Sequence, residues 1–346
     1  MNPLIARLEA LAAPAIGLGC MNLSHGYGSP VPEAEALRAL EAAFEMGYRH
    51  FDTATLYGAT ANERLVGKAL SGRRGEILLA SKCGMAMDPA LGRKVIDGRP
   101  ETLQRQCEAS LARLGTDHLD LYYLHRWDKG VPVEESVGAL ARLVEEGKIA
   151  AIGLSEVSAA TLRRARREHP IAAVQSEYSL WTRNPEIGLI EACREAGTAL
   201  VAFSPLGRGF LAGAVSDPAR LEEGDMRRGM PRFSAENHPR NLRLLAAFTA
   251  LAEELGMTPG QLALAWLRAR GDDILPIPGS RSIDHMRENL AAERLPLAPE
   301  TVTRLDAMMT PDQVAGARYG EAQQAEVDTE EFGYGGVPEA SERRLS

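Results

Sequence analysis

Four side chains that can transfer protons or stabilise charge stand at the ends of apolar runs in the first half of the chain. Asp52 ends one run and Tyr57 follows it closely, Lys82 ends the next run, and His125 follows a third. If these runs are adjacent parallel strands, their carboxyl ends meet at one rim, so the four side chains converge. Taken singly, each is more often a cap, a packed phenol, a surface charge or a satisfied imidazole. Together they favour a functional site, because burying a lysine beside a carboxylate is costly.

The chemistry that fits this set is hydride reduction of a carbonyl. The developing alkoxide needs a proton donor and positive groups that stabilise it. Tyr57 is the natural acid, and an adjacent Lys82 ammonium is expected to lower its pKa by favouring the phenolate. Asp52 would keep Lys82 charged, and a neutral His125 could orient the substrate oxygen through its N–H.

The elements that must position these residues alternate between short β-rich runs and amphipathic helical stretches. Several of the helical stretches end at a glycine, as at Gly47 and Gly115, where a left-handed cap costs glycine least. The strands are predicted at 15–20, 49–53, 77–82, 119–124, 150–154, 172–175, 199–203 and 274–277. Eight parallel strands with intervening helices predict a (β/α)8 TIM barrel.

This barrel is expected to form a single domain over residues 1–332, with one long loop and a C-terminal tail. The loop, at about 206–241, is rich in Gly, Pro, Arg and acidic residues, and a connection of that length suggests a functional lid. The tail, residues 333–346, has few apolar groups and is expected to be flexible.

A candidate phosphate site follows the seventh predicted strand. There the backbone amides and arginine of 204–209 could lie along a pyrophosphate, in the region where barrels commonly bind phosphate. Gly207, Gly209 and Ala212 also match the G-x-G-x-x-A pattern of a dinucleotide-binding Rossmann fold. That alternative is disfavoured because no clear helix follows Ala212 and no acidic strand end lies about 20 residues further on.

The amino-acid composition limits the classes of partner that the protein is expected to bind. A net charge of −8 and a pI near 5.5 argue against binding to nucleic acid or to an anionic membrane surface. The four cysteines form neither a metal knuckle nor a redox pair, and the N-terminus does not resemble a signal peptide. A cytoplasmic enzyme that acts on a small-molecule carbonyl substrate is expected; the oligomeric state is left open.

The segments Phe51-Asp52-Thr53-Ala54 with Tyr57, Ser81-Lys82, and Asp120-Leu121-Tyr122-Tyr123-Leu124-His125 resemble the signatures of the aldo-keto reductase family. The resemblance runs from about residue 15 to residue 289. It implies that Asp52, Tyr57, Lys82 and His125 are the catalytic tetrad, that Tyr57 is the general acid, and that the cofactor is NADPH. The segment 314–319 resembles the branch that contains pyridoxal reductases and related broad-range aldehyde reductases.

The same resemblance, with the phosphate loop, implies a set of cofactor contacts. Residues at the ends of strands five to seven would hold the nicotinamide, the loop after strand seven the pyrophosphate, and residues after strand eight the adenosine phosphate and adenine. The set is Ser155, Gln175, Phe203, Ser204, Leu206, Gly207, Arg208, Gly209, Gly279, Ser280, Arg281, His285, Glu288 and Asn289.

Two positions depart from the family pattern. Glu156 stands where most relatives have Asn after the serine, which puts the usual contact with the nicotinamide carboxamide in doubt. His285 stands where many relatives have arginine, which leaves Arg281 as the main candidate for the 2′-phosphate. The substrate pocket is expected to include His25, Tyr27 and Trp127, whose aromatic rings favour a planar aldehyde.

Other functions remain open at this point. The same tetrad could act mainly as an NADP-dependent alcohol dehydrogenase. A cofactor-binding regulatory subunit with slow turnover is a second alternative, although no docking extension is evident. A metal-dependent barrel enzyme would need clustered His and carboxylate ligands at strand ends, and only Asp52 and His125 qualify, so no metal is expected.

Overall fold

The computed structural model describes residues 2–332, and the predicted tail at 333–346 lies outside the described residues. Eight parallel strands form one sheet in the order β1-β2-β3-β6-β7-β8-β9-β10. The last strand returns to the first, since the Gly17 amide donates to the Pro276 carbonyl at 2.9 Å and Gly19 bridges Gly279. This closed sheet confirms the predicted barrel.

The observed strands overlap all eight predicted runs and are mostly shorter. A two-stranded antiparallel hairpin, β4 with β5, was not predicted and follows β3 directly. The strands are β1 (Leu18–Gly19), β2 (His50–Asp52), β3 (Leu78–Cys83), β4 (Met85–Asp88), β5 (Arg93–Ile96), β6 (Leu121–Leu124), β7 (Ile152–Ser155), β8 (Ala173–Glu177), β9 (Ala199–Phe203) and β10 (Ile274–Pro276).

Helices surround the sheet and cover its outer face. Among the residues described, no helix is long and apolar enough to cross a membrane. The helices are α1 (Pro3–Ala10), α2 (Glu33–Met46), α3 (Ala61–Leu70), α4 (Pro100–Leu114), α5 (Val133–Glu145), α6 (Ala159–Ala165), α7 (Leu189–Ala196), α8 (His238–Glu254), α9 (Pro259–Ala269), α10 (Ile283–Ala291), α11 (Pro299–Met308) and α12 (Glu321–Gln324).

Helix α2 shows how the sequence specifies these elements. Pro32 precedes it, and acidic residues in its first turn favour the positive end of the helix dipole. Its buried positions, which include Ala36, Leu40 and Phe44, recur at helical spacing and face the sheet. The helix ends at Gly47, whose φ of 111° lies in the left-handed region, as the sequence predicts.

Two apolar clusters form the core. One lies between the sheet and its helices, and the other fills the barrel interior with residues such as Leu78, Leu121 and Val201. Helix α1 closes the amino-terminal end of the barrel by placing Leu4 and Leu8 in this inner cluster. The opposite end, where the carboxyl termini of the strands meet, is left to polar residues.

The long segment predicted at 206–241 is a chain of short 3-10 turns rather than an unstructured loop, and α8 begins within it at His238. It packs on the loop that follows β1, because the Ser29 amide donates to Glu222 at 2.8 Å and the Met226 amide to the Gly26 carbonyl at 3.0 Å. The segment therefore covers one side of the carboxyl-terminal rim.

Candidate active site

Three neighbouring strands bring the predicted tetrad to the carboxyl-terminal rim of the barrel. In the parallel register Asp52 pairs with Ala80, and Lys82 pairs with Tyr123 two residues before His125. The strand ends therefore place the Asp52 and Lys82 side chains and the His125 imidazole on one wall.

Lys82 is the centre of the group and is fully buried. Its ammonium donates to the Asp52 carboxylate, to the Thr53 carbonyl at 2.9 Å and to the Tyr57 hydroxyl at 3.1 Å. Three acceptors thus use its three protons. Burial favours the neutral amine, but the Asp52 carboxylate and the Tyr57 hydroxyl outweigh it and raise the pKa of Lys82 above its ordinary value. Lys82 is a cation in the folded protein.

Tyr57 is held on a tight turn between β2 and α3. The turn passes through three consecutive residues with positive φ, Gly58, Ala59 and Thr60. Asn62, fully buried at the start of α3, ties this turn to the barrel by accepting from the Thr53 hydroxyl at 2.6 Å and donating to the Cys20 carbonyl at 2.9 Å. The phenol position is therefore fixed by buried hydrogen bonds.

The net effect on the Tyr57 pKa differs from the sequence expectation. Burial raises it above its ordinary value, and the opposing effect of the Lys82 ammonium is smaller. The phenol is therefore protonated at neutral pH, as a proton donor must be. Lys82 lowers the Tyr57 pKa, as expected, but burial has the larger effect. The sequence does not reveal how completely the phenol is buried, so this outcome could not be predicted from it.

His125 lies edge-on to Tyr57, with ring centroids 5.7 Å apart and planes at 86°. Burial, followed by the charges of Arg126 and Lys82, holds its pKa well below the ordinary value of an imidazole. The ring is therefore neutral at neutral pH, which agrees with the role expected of a hydrogen-bond donor to a substrate oxygen.

A cavity of about 1020 Å³ runs along this rim. Asp52, Tyr57 and His125 line it, and Lys82 lies behind them. Thirteen of the fourteen predicted cofactor residues also line it; Gly207 does not. The cavity thus connects the tetrad with the loops after β9 and β10, which the sequence assigns to phosphate and adenosine.

Ser155, Gln175 and Phe203, which the sequence assigns to the nicotinamide, line the cavity. Here the Gln175 amide donates to the second Asp52 carboxylate oxygen at 2.8 Å, so it supports the tetrad directly. The departure at Glu156 has a structural explanation: its φ is 55°, and its buried carboxylate contacts Arg318 at 3.1 Å and accepts from the Glu177 amide at 2.9 Å. Glu156 is committed to this buried network.

Arg208 was predicted to contact the pyrophosphate. It is 8% exposed and its guanidinium donates to Glu177 at 2.7 Å and to the Tyr319 hydroxyl at 3.0 Å. Arg318 pairs with Glu156, which follows β7, and with Glu177, which ends β8. The ends of these two strands are thereby connected to the segment that contains Arg318 and Tyr319. Sequence reasoning missed this network, since nothing local to any of these residues signals the others.

The residues that the sequence assigns to the adenosine are less enclosed. Arg281 and His285 are exposed on the loop and first turn after β10, and Asn289 is buried. Glu288 accepts from the Thr258 hydroxyl at 2.5 Å, which draws the start of α9 to this end of the cavity.

The three residues predicted for the substrate pocket do not all lie at the cavity. His25 and Tyr27 line the cavity, whereas Trp127 is not among its lining residues. The Trp127 indole N–H donates to the Val131 carbonyl at 2.9 Å, and the Arg164 guanidinium lies 5.5 Å from its ring. The cavity is also lined by side chains that sequence reasoning missed, several of them on the unpredicted hairpin: Met21, Leu56, Met85, Met87 and Lys94.

Comparison with known proteins agrees with the predicted family and with the barrel fold. The model of the aldo/keto reductase family matches residues 15–310. The NADP(+) aldo-keto reductase yakc of Schizosaccharomyces pombe is 44% identical over 311 residues, which are 88% of this chain and 91% of the relative. An aldo/keto reductase from Klebsiella pneumoniae, solved with NADP and acetate, has 30% identity and a TM-score of 0.68, covering 89% of this chain and 95% of its own. A glycerol dehydrogenase from Gluconobacter oxydans has 25% identity and a TM-score of 0.77, covering 88% and 95%.

Proposed function

Because this chain belongs to the aldo/keto reductase family, we propose that it reduces aldehydes or ketones to alcohols with NADPH. The observation that carries the proposal is the Lys82 ammonium, held between the Asp52 carboxylate and the Tyr57 hydroxyl at the wall of the large cavity. A protonated phenol supported by a buried cation is suited to donate a proton to a developing alkoxide.

The residues present fit the cofactor. Asn22 presents a buried side-chain oxygen that has no donor among the described residues, and a Cβ on Gly279 would lie only 3.1 Å from that oxygen. Because Gly279 has no side chain, a bound molecule could approach its backbone closely. At the adenosine end, the Arg281 Nη1 donates to the Ser29 carbonyl at 3.2 Å, and no carboxylate lies within 4.0 Å of its guanidinium in the described part of the chain, so its other nitrogens could contact a phosphate. Ser155, Gln175 and Phe203 would hold the nicotinamide.

The chain's own residues would act as follows. NADPH, when bound, supplies the hydride that the carbonyl carbon accepts. The neutral His125 donates an N–H to the carbonyl oxygen and orients it, and Tyr57 gives its hydroxyl proton to the same oxygen as the alcohol forms. The Lys82 ammonium stabilises the phenolate left behind, and Asp52 keeps Lys82 charged.

The site also supports the narrower expectations about substrate and setting. Aldehydes are the proposed substrates, and the apolar side chains of Met21, Leu56 and Met85, which line the cavity, would contact their hydrocarbon parts. We also propose a cytoplasmic location, which the four buried, free cysteines support. The barrel is proposed to act as one domain over residues 1–332.

A direct assay tests the activity. The purified protein is mixed with nitrobenzaldehyde or methylglyoxal, and the loss of reduced nicotinamide absorbance is followed with NADPH and, separately, with NADH. Aldehyde-dependent oxidation that is faster with NADPH is expected. Tight NADPH binding without aldehyde-dependent oxidation would instead indicate a cofactor-binding regulatory protein.

A further inference from the structure

The cations that line the cavity are not equivalent. Five lysine and arginine side chains do so: Lys94, Arg126, Arg208, Arg227 and Arg281. Three of them form short ion pairs, Lys94–Glu326 at 2.5 Å, Arg208–Glu177 at 2.7 Å and Arg227–Asp225 at 2.6 Å. Within residues 2–332, Arg126 and Arg281 have no carboxylate within 4.0 Å. Arg281 lies at the adenosine end, which leaves Arg126 as the uncompensated cation beside the tetrad.

The Arg126 guanidinium is held by one of its nitrogens. Its Nη1 donates to the His125 carbonyl at 2.7 Å and to the Ser155 hydroxyl at 3.2 Å. Its Nε is buried without an acceptor among the described residues, and its Nη2 likewise makes no hydrogen bond to them. These two nitrogens form one edge of the guanidinium, and that geometry matches the two oxygens of a carboxylate or phosphate.

Arg126 lies beside the tetrad and affects its electrostatics. Arg126 directly follows the tetrad histidine, and after burial its charge is the largest influence that lowers the His125 pKa. Lys94 and His25 line the same cavity and act on His125 in the same direction. Arg126 therefore places a positive charge without a carboxylate partner among the described residues beside the tetrad, although the protein as a whole carries a net charge of −8.

We propose that Arg126 receives an anionic group of the carbonyl substrate, so that the protein prefers aldehydes or oxo compounds that carry a carboxylate or phosphate near the carbonyl. This inference rests on the proposed reductase function. Arg126 would be a specificity residue that holds one end of the substrate while His125 and Tyr57 act on the carbonyl oxygen. Arg126 also touches Ser155, so a contact with the cofactor carboxamide is the competing role.

The experiment compares acid and neutral substrates on the same skeleton. The three isomers of carboxybenzaldehyde and their methyl esters are assayed with saturating NADPH, and the ratio of kcat/KM for each acid to that of its ester is the readout. The wild type should prefer the acid of at least one isomer. A charge-assisted bidentate contact implies that Arg126→Met lowers this ratio by about ten- to a hundredfold. Arg126→Lys should restore part of it, because the charge returns without the planar fork.

Lys94→Met is the matched control, since it removes a cation from the same cavity that is already paired with Glu326. We expect the acid-to-ester ratio to change by less than about threefold in that variant. NADPH dissociation constants measured by fluorescence complete the comparison.

Two results would overturn the inference. One is a wild type without a preference for any of the acids. The other is an Arg126→Met variant in which both substrates and the affinity for NADPH decline together, which would assign Arg126 to the cofactor. Reduction of the esters without selectivity for the acids would refute this inference alone, whereas failure to reduce any aldehyde would refute the proposed function.

Discussion

Replacing Lys82 with methionine tests the buried charge arrangement that supports Tyr57. The variant keeps a long side chain but removes the ammonium. Asp52 is then left 2% exposed, and within residues 2–332 the Gln175 amide, at 2.8 Å, is its remaining side-chain donor. Stranding a buried charge in this way costs about 3–5 kcal/mol of stability. We therefore expect Lys82→Met to fold with a loss of that size and to lose at least about a hundredfold in kcat.

Urea denaturation followed by tryptophan fluorescence measures the first quantity, and NADPH oxidation with nitrobenzaldehyde measures the second. Asp52→Asn combined with Lys82→Met is the control, because it removes the stranded charge while leaving the methionine in place. The double variant should recover more than half of the lost stability. If Lys82→Met unfolded within 1 kcal/mol of the wild type, or if the double variant were less stable than Lys82→Met alone, the ion-pair reasoning would be refuted.

Two further predictions concern the cofactor and pH. In fluorescence titrations, Arg281→Ala should weaken NADPH binding by about ten- to a hundredfold and leave NADH binding nearly unchanged. Arg287→Ala is the control and should affect neither cofactor, because Arg287 is an exposed neighbour paired with Asp284. Equal losses for both cofactors in Arg281→Ala would contradict a 2′-phosphate contact. Stability should also fall as pH drops from 6.5 towards 5, because burial lowers the pKa of His50 to about 4 and that of His125 well below its ordinary value, so only the unfolded state takes up their protons. For each buried imidazole, the unfolding free energy should fall by about 2 kcal/mol between pH 7 and pH 5. Calorimetry at these two pH values measures it, and an unchanged unfolding free energy would contradict the prediction.

The barrel could be predicted from the sequence because its signals are local and repeated. Apolar strand runs alternate with helices that end at glycines such as Gly47 and Gly115, and parallel strands must bring their carboxyl ends together. For the same reason the convergence of Asp52, Lys82 and His125 followed from their places at strand ends. The family model confirms the resemblance, while the individual roles of the site residues stay predictions.

What the sequence did not reveal depends on contacts between distant segments. Arg208 was expected at a phosphate because of its glycine-rich loop, but its pairing with Glu177 depends on how the loop folds back over β8. The pairing of Glu156 with Arg318 joins residues separated by 162 positions. Trp127 was placed in the substrate pocket by its neighbour His125, yet the turn that follows directs its indole to the Val131 carbonyl.

The hairpin β4–β5 does have a local signal in the sequence. Met85 and Met87 on one side and Val95 and Ile96 on the other flank a turn that contains Pro89 and Gly92, and such turn residues between short apolar stretches favour a β-hairpin. This hairpin supplies Met85, Met87 and Lys94 to the cavity, so the substrate wall could not be described without it.

The most direct test of the central claim, that Tyr57 is the proton donor of an NADPH-dependent carbonyl reductase, is the turnover of Tyr57→Phe. This substitution keeps the buried ring against His125 and removes only the hydroxyl that receives the Lys82 hydrogen bond at 3.1 Å. We predict that the variant binds NADPH with an affinity close to that of the wild type and loses about 100- to 10,000-fold in kcat/KM for nitrobenzaldehyde. Turnover within a fewfold of the wild type, in a variant that folds and binds NADPH normally, would contradict the claim.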